Sequence, residues 1–214
     1  MIIISIQKMA RSKSTRKGAG KDVYSIVVDG ETEVWYFQLL KQYESLKNVD
    51  IKPDLPKRKK LSELYDLVVE NAAEFTKVIW VIDLDVIIKE DKERRGGGKP
   101  ALQELKEYID SLEQLDNVHV LINTPCLEYW YLLHLKQTSK YYSSFKDVSK
   151  QFKGTILEGY EKTEKYYKTK NIYLMLKPGL SVAIDNAKRL GEFDIESPET
   201  GKAEIYKIFE LLNL

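Results

Sequence analysis

Short β-branched runs alternate with segments of helical periodicity over the first half of the chain, and this alternation restricts the fold more than any other feature. Residues 23–28, 78–82 and 118–122 are rich in Val and Ile, in the length typical of buried strands. Amphipathic segments lie between them, and residues 49–51 give a weaker strand pattern. Strands that alternate with helices in this way form βαβ units. The sequence therefore predicts an α/β fold, a Rossmann-like, mainly parallel sheet flanked by helices.

Three regions follow from composition. Residues 1–21 contain six basic and no acidic side chains, so the rest of the chain carries the total of +1 less this +6, a charge of −5. We expect residues 1–21 to form a flexible basic arm, residues 22–123 the α/β core, and residues 124–214 a mainly helical C-terminal part packed on it. The arm either contacts phosphates or is a solvated terminus without a partner. Met9 is an alternative start to Met1.

Composition also excludes several classes of function. A formal net charge of +1 creates no global attraction to polyanions or anionic membranes. One Cys and two His residues allow neither an internal disulfide nor a cysteine zinc site nor an all-histidine metal site. No run approaches the roughly 18 apolar residues of a membrane span, and no signal-peptide pattern is present. We therefore expect a cytoplasmic protein that does not enter a membrane, and any metal chemistry must use carboxylates.

Acidic side chains follow two of the predicted strands. Asp29 ends the first strand, with Glu33 close behind it, and Asp83 and Asp85 end the strand at residues 78–82. Parallel sheets bind ligands at the carboxyl ends of their strands. In an extended chain, residues two apart point to the same side, so Asp83 and Asp85 can converge on Mg²⁺. The alternative is a turn with polar caps.

Other motifs in the sequence give weaker indications of function. The Gly-rich segment before Lys99 lacks the spacing and the Ser or Thr of a phosphate-binding loop, and Ile87 departs from the pattern of haloacid dehalogenase phosphatases. Cys126 is predicted to be a small buried hydrophobe, and His119 a structural residue in a strand. His134 lies four residues after Trp130, which favours stacking in the core, with a phosphate contact as the alternative.

Three segments together resemble the RloB-like family. They are VVDGETEVWYF at 27–37, VIWVIDLD at 78–85 and NTPCLEYWYLLH at 123–134. The likeness continues through residues 167–169 and 183–187 to Ser197-Pro198, and so covers nearly the whole chain after the basic arm. RloB-like proteins occur in bacteria and archaea near restriction and other phage-defence genes, and they resemble the Toprim superfamily of topoisomerases, primases and nucleases.

The resemblance implies roles for particular residues. Toprim domains place an acid and a glycine after the first strand, here Asp29 and Gly30, and an Asp-x-Asp pair after a later one, here Asp83 and Asp85. The first acid is usually Glu, so Asp29 is a departure, and Glu33 can supply the missing length. The resemblance thus implies a nuclease in which Asp83 and Asp85 hold Mg²⁺ or Mn²⁺ and Asp29 or Glu33 moves a proton.

The same resemblance implies that Glu128 is a further metal ligand, with a helix-capping acid as the alternative. It also implies that the partner is nucleic acid, either DNA or RNA. Lysines and arginines outside the acidic site would contact the phosphate backbone, namely Arg11, Lys13, Arg16, Lys17, Lys57, Arg58, Lys59, Lys60, Arg94 and Arg95. Partner proteins from a defence locus are also expected. Two alternatives to a nuclease remain: a catalytically silent nucleic-acid-binding or regulatory subunit, and a nucleotidyl or phosphoryl transferase.

Overall fold

The computed structural model describes residues 22–53 and 60–214. In these residues the chain forms one five-stranded sheet with strand order β2-β1-β3-β4-β5. The first four strands run parallel, and β5 pairs antiparallel with β4. The strands are β1 (Tyr24–Val27), β2 (Val49–Lys52), β3 (Lys77–Asp83), β4 (Val118–Thr124) and β5 (Lys202–Ala203). The predicted α/β fold with a mainly parallel sheet is confirmed.

Helices connect the strands and continue to the C-terminus. They are α1 (Glu31–Tyr43), α2 (Leu61–Ala72), α3 (Leu84–Glu93), α4 (Ala101–Leu112), α5 (Leu127–Leu133), α6 (Phe145–Ser149), α7 (Glu164–Lys170), α8 (Ile172–Leu176), α9 (Leu180–Arg189) and α10 (Lys207–Leu211), with 3₁₀ turns at Lys150–Phe152, Lys177–Gly179 and Glu204–Tyr206. Throughout the described ranges, no helix is long and apolar enough to cross a bilayer.

The sheet is covered on both faces because successive strand residues point to opposite sides. Ile79 and Val81 join a core formed with α1 and the C-terminal helices. Val78, Trp80 and Ile82 join a second core, formed with α2, α3 and α4. The near-continuous apolar character of β3 therefore reflects burial on both sides.

Helix α3 begins directly after β3. Its buried Ile87 and Ile88 pack into the second core, and the helix continues to Glu93. The charged segment at 89–99 is therefore helical over its first five residues, and residues 94–99 form the loop that follows. Apolar burial at the start of the segment extends the helix into residues that are themselves charged.

The C-terminal part contributes to the sheet as well as to the helical layer. All seven residues of α5 are buried, and Asn186 on α9 donates from Nδ2 to Leu133 O over 2.8 Å. Strand β5 lies against the end of β4. Beside it the buried Glu204 accepts the Ile122 N–H at 3.0 Å and the Phe193 N–H at 3.2 Å. The carboxylate thus satisfies backbone donors where β5 is too short to pair further.

Candidate active site

Five carboxylates come together at the carboxyl end of the parallel strands. Asp29 follows β1, Glu33 lies in the first turn of α1, Asp83 ends β3, Asp85 lies in the first turn of α3, and Glu128 in the first turn of α5. Burial raises the pKa of Asp83 well above its ordinary value, and the negative charges of the other four raise it further. These five side chains, here called the carboxylate cluster, therefore share one electrostatic environment.

Asp83 is held at the centre of the cluster by two hydrogen bonds. Its Oδ2 accepts the N–H of Leu127 at 2.9 Å, and its Oδ1 accepts Nδ2 of Asn123 at 3.2 Å. Leu127 is the first residue of α5, where N–H groups lack helical partners and favour an acid. The Oδ1 atom of Asn123 is buried without a hydrogen-bond partner among the described residues, so one acceptor beside Asp83 is left open.

Asp85 reaches the cluster by a different route from the one predicted. The predicted geometry required an extended chain through Asp83 and Asp85, but β3 ends at Asp83 and Asp85 is already helical, so that interpretation is wrong. The strand-to-helix turn brings the two side chains into one environment instead. The N–H of Asp85 donates to Pro125 O at 3.0 Å, which ties the turn to the segment before α5. Burial raises the pKa of Asp85.

Asp29 and Glu33 form the β1 side of the cluster. The Glu33 side chain is 3% exposed and accepts a hydrogen bond from Thr32 Oγ1 at 2.9 Å. Its Oε2 lies where a Cβ at Gly30 would stand, so any side chain at position 30 would displace the Glu33 carboxylate. Burial, followed by the charge of Glu33, raises the pKa of Asp29 from 3.8 to about 7. Asp29 can therefore take up or release a proton near neutral pH.

Glu128 is fully buried and has a cation beside it. The hydroxyl of Tyr160 donates to Oε1 at 2.7 Å, and Nζ of Lys162 lies 3.1 Å from Oε2. The same ammonium stands 4.1 Å from the centre of the Phe145 ring. Burial opposes the charge of Lys162, but Glu128 and the other nearby acids outweigh this and raise its pKa. Lys162 could not be predicted from the sequence, because the loop before α7 has no motif or periodicity to mark it.

The donor chemistry of the cluster fits a hard divalent ion. Carboxylate and amide oxygens are the ligands that Mg²⁺ prefers. Burial raises the pKa values of Asp29, Asp83 and Asp85, and neighbouring carboxylates add to the rise, so a cation would offset an unfavourable ionisation here. As the side chains stand, no group of three or more His, Cys, Asp or Glu residues within 22–53 and 60–214 is arranged to hold a metal ion. The cluster supplies suitable oxygens without a closed ligand set.

The predicted nucleic-acid contacts are divided between described and undescribed residues. Lys60, Arg94 and Arg95 are exposed. Lys60 directly precedes α2, and Arg94 donates from Nη1 to Gly98 O. The remaining predicted residues lie outside the described residues, namely Arg11, Lys13, Arg16, Lys17, Lys57, Arg58 and Lys59.

The histidine and the cysteine near α5 are packed in the interior. His134 is 8% exposed, its ring stands edge-on 4.5 Å from Trp130, and its Nδ1 is 2.9 Å from Trp130 O. Burial lowers the pKa of His134 to about 4, which describes a neutral packed ring. Cys126 is likewise buried, and burial raises the pKa of its thiol.

A groove of about 660 Å³ lies at the opposite end of the strands, with Lys77 and His119 among its lining residues. Two further lysines in it are matched by acids: Lys188 lies 2.8 Å from Glu210, and Lys207 pairs with Glu192 and Glu204. The groove therefore has little unbalanced charge, and the carboxylate cluster is the stronger candidate for chemistry.

Comparison with models of known protein families identifies the family of this chain. A family model described as RloB-like protein matches residues 24–212, a span that contains the whole carboxylate cluster and Lys162. No curated protein and no solved structure matches the chain. Because the match extends over most of the sequence, the chain belongs to the RloB-like protein family.

Proposed function

We propose that this protein is a divalent-metal-dependent nuclease that cleaves phosphodiester bonds of DNA or RNA in prokaryotic anti-phage defence. The observation that carries the proposal is the meeting of Asp29, Glu33, Asp83 and Asp85 at the carboxyl ends of β1 and β3, the place where α/β sheets bind ligands. Membership of the RloB-like family and the Toprim resemblance support it.

The proposed roles follow from the surroundings of each acid. Asp83 and Asp85 would hold Mg²⁺ or Mn²⁺, which when bound polarises a phosphoryl oxygen. Asp83 is oriented by the Asn123 amide and the Leu127 N–H, so its oxygens need little rearrangement. Asp29, whose pKa is raised to about 7, suits proton transfer to or from water near neutral pH. Glu33 lies over Gly30, beside Asp29, and can share this role.

The substrate would be gripped through its phosphates. Lys60 and Arg95 are exposed side chains near the ends of α2 and α3, and the basic arm at residues 1–21 adds six positive charges. Contacts of this kind give affinity without sequence choice and depend strongly on salt. The proposed nuclease would therefore bind nucleic acid with little sequence preference.

The test is cleavage by the purified full chain. Single- and double-stranded DNA and RNA are incubated with Mg²⁺ or Mn²⁺, with EDTA as the metal-free arm. Cleavage should require metal and be lost in Asp83→Asn and Asp85→Asn. Asp116→Asn is the matched control, since this exposed acid lies in the turn before β4 at the other end of the strands. Cleavage that persists in EDTA, or that survives both substitutions, would contradict the proposal.

One observation favours a second candidate, a catalytically silent nucleic-acid-binding or regulatory subunit. The acids are not arranged as a closed ligand set within the described residues, and Asp29 is shorter than the Glu usual in Toprim domains. This reading predicts that nucleic acid, or a partner protein from a defence locus, binds while no metal produces cleavage. The same incubations, combined with a gel-shift measurement, separate the two candidates.

A further inference from the structure

Lys162 lies within an otherwise acidic site. Its ammonium is 3.1 Å from Oε2 of Glu128, and its charge opposes part of the rise in the pKa values of Asp29, Glu33 and Asp85 that burial causes. It belongs to the loop before α7, so the C-terminal part supplies this positive charge to acids of the core. One lysine therefore offsets part of the negative charge of several acids at once.

The partner of this lysine is more constrained than the lysine itself. The Glu128 side chain is 0% exposed, whereas the Lys162 side chain is 35% exposed. The Tyr160 hydroxyl fixes the other Glu128 oxygen, and that hydroxyl is 2.6 Å from Tyr167 OH. A buried carboxylate held by tyrosines on one side and facing an ammonium on the other is suited to anchor the lysine.

The ion pair between Glu128 and Lys162 also leaves one carboxylate oxygen without a hydrogen bond. The Oε2 atom of Glu128 has an ion-pair partner in Lys162 but makes no hydrogen bond within the described residues. A purely structural buried pair is stable only when hydrogen bonds satisfy both groups. Here the ammonium interacts electrostatically with Glu128 and the other acids and also lies over the face of Phe145. Lys162 therefore stands where a counter-ion to the acidic cluster would stand.

We propose that Lys162 is the resident cation of the active site: anchored by Glu128, its ammonium takes the place of a second divalent ion, so that the site binds one ion. This inference rests on the proposed metal-dependent function. It also changes the role expected for Glu128, which becomes the anchor of Lys162 instead of a metal ligand. The divalent ion is left to Asp83 and Asp85.

The test counts bound Mn²⁺ by isothermal titration calorimetry and by the electron paramagnetic resonance signal of free Mn²⁺. The wild-type chain should bind one ion per molecule. Lys162→Met should bind a second ion, or bind the first at least about ten-fold more tightly, because a nearby positive charge has been removed. Lys162→Arg should behave as wild type. The control is Lys168→Met, an exposed lysine on α7 whose ion pair is with Glu164.

Several results would overturn the inference. Two ions in the wild-type chain would do so directly, and this measurement does not depend on the folding of any variant. A folded Lys162→Met protein, checked by circular dichroism, that binds one ion with wild-type affinity would also do so. Neither result contradicts the proposed function, since metal still binds in both cases. A wild-type chain that binds no Mn²⁺ would refute the metal-dependent function itself.

Discussion

The raised pKa of Asp29 leads to a prediction about protein stability that can be tested without a substrate. In the folded protein the pKa of Asp29 is about 7, raised from 3.8 first by burial and then by Glu33. Below pH 3.8 the carboxyl is neutral in both the folded and the unfolded chain. Between 3.8 and about 7 only the unfolded chain ionises it, so the free energy of unfolding falls as the pH rises. Above this window the loss in free energy of unfolding stays constant, at roughly 4 kcal/mol for a shift of about three pKa units.

Asp29→Asn removes this cost while keeping the size of the side chain. In EDTA the variant should match wild type near pH 3.5 and gain stability as the pH rises, reaching a few kcal/mol at pH 8, of the order of that roughly 4 kcal/mol cost. Urea denaturation curves at pH 3.5, 5, 6.5 and 8 measure the free energy of unfolding. Asp116→Asn, at an exposed turn, should stay within about 0.5 kcal/mol of wild type at every pH.

The reasoning would be refuted by an Asp29→Asn variant that is less stable than wild type at pH 8, or by a gain that does not change with pH. Divalent metal adds an internal check. If Mg²⁺ neutralises the cluster, its addition should stabilise wild type and reduce the advantage of the variant. An advantage that is identical with and without Mg²⁺ would show that the ion does not act on Asp29.

Three further predictions concern other parts of the molecule. Gly30→Ala should displace the Glu33 carboxylate and reduce cleavage at least about ten-fold, while urea denaturation shows a change in stability of only about 1 kcal/mol, because a flexible side chain can move. His134 is buried neutral with a pKa of about 4, and the unfolded chain binds its proton first. Stability should therefore fall as the pH drops from about 6.5 to about 4, by about 2 kcal/mol at pH 5, and His134→Gln should remove this part of the acid sensitivity in the same denaturation series. Deletion of residues 1–21 should weaken nucleic-acid binding and flatten the plot of log affinity against log salt; an unchanged slope in fluorescence titrations would show that the arm makes no phosphate contacts.

The sequence was informative where periodicity is strong. Parallel strands buried on both faces produce continuous Val and Ile runs, which is why β3 and β4 were predicted close to their observed bounds. The short β5 has two residues, too few for any periodic signal. Asp29 and Asp83 both follow parallel strands, and the carboxyl ends of parallel strands share one edge of the sheet. Their proximity could therefore be expected from the sequence.

What could not be predicted depends on contacts between distant segments. Lys162 reaches Glu128 across a separation of 34 residues, and a lysine in a polar loop gives no sign of its partner. The helical position of Asp85 depends on the burial of Ile87 and Ile88 in the second core. Local patterns indicate which side chains are apolar or charged, whereas the tertiary fold decides which of them meet.

The two hydrogen bonds of Asp83 have a practical consequence for mutagenesis. The carboxylate proposed to hold the ion also fastens the first turn of α5, a fully buried helix, to the end of β3. Removing Asp83 would thus loosen an interior helix together with the chemistry, and lost activity would have two causes. The Asp85 side chain is more open to solvent than that of Asp83, so Asp85→Asn offers the cleaner separation of catalysis from architecture.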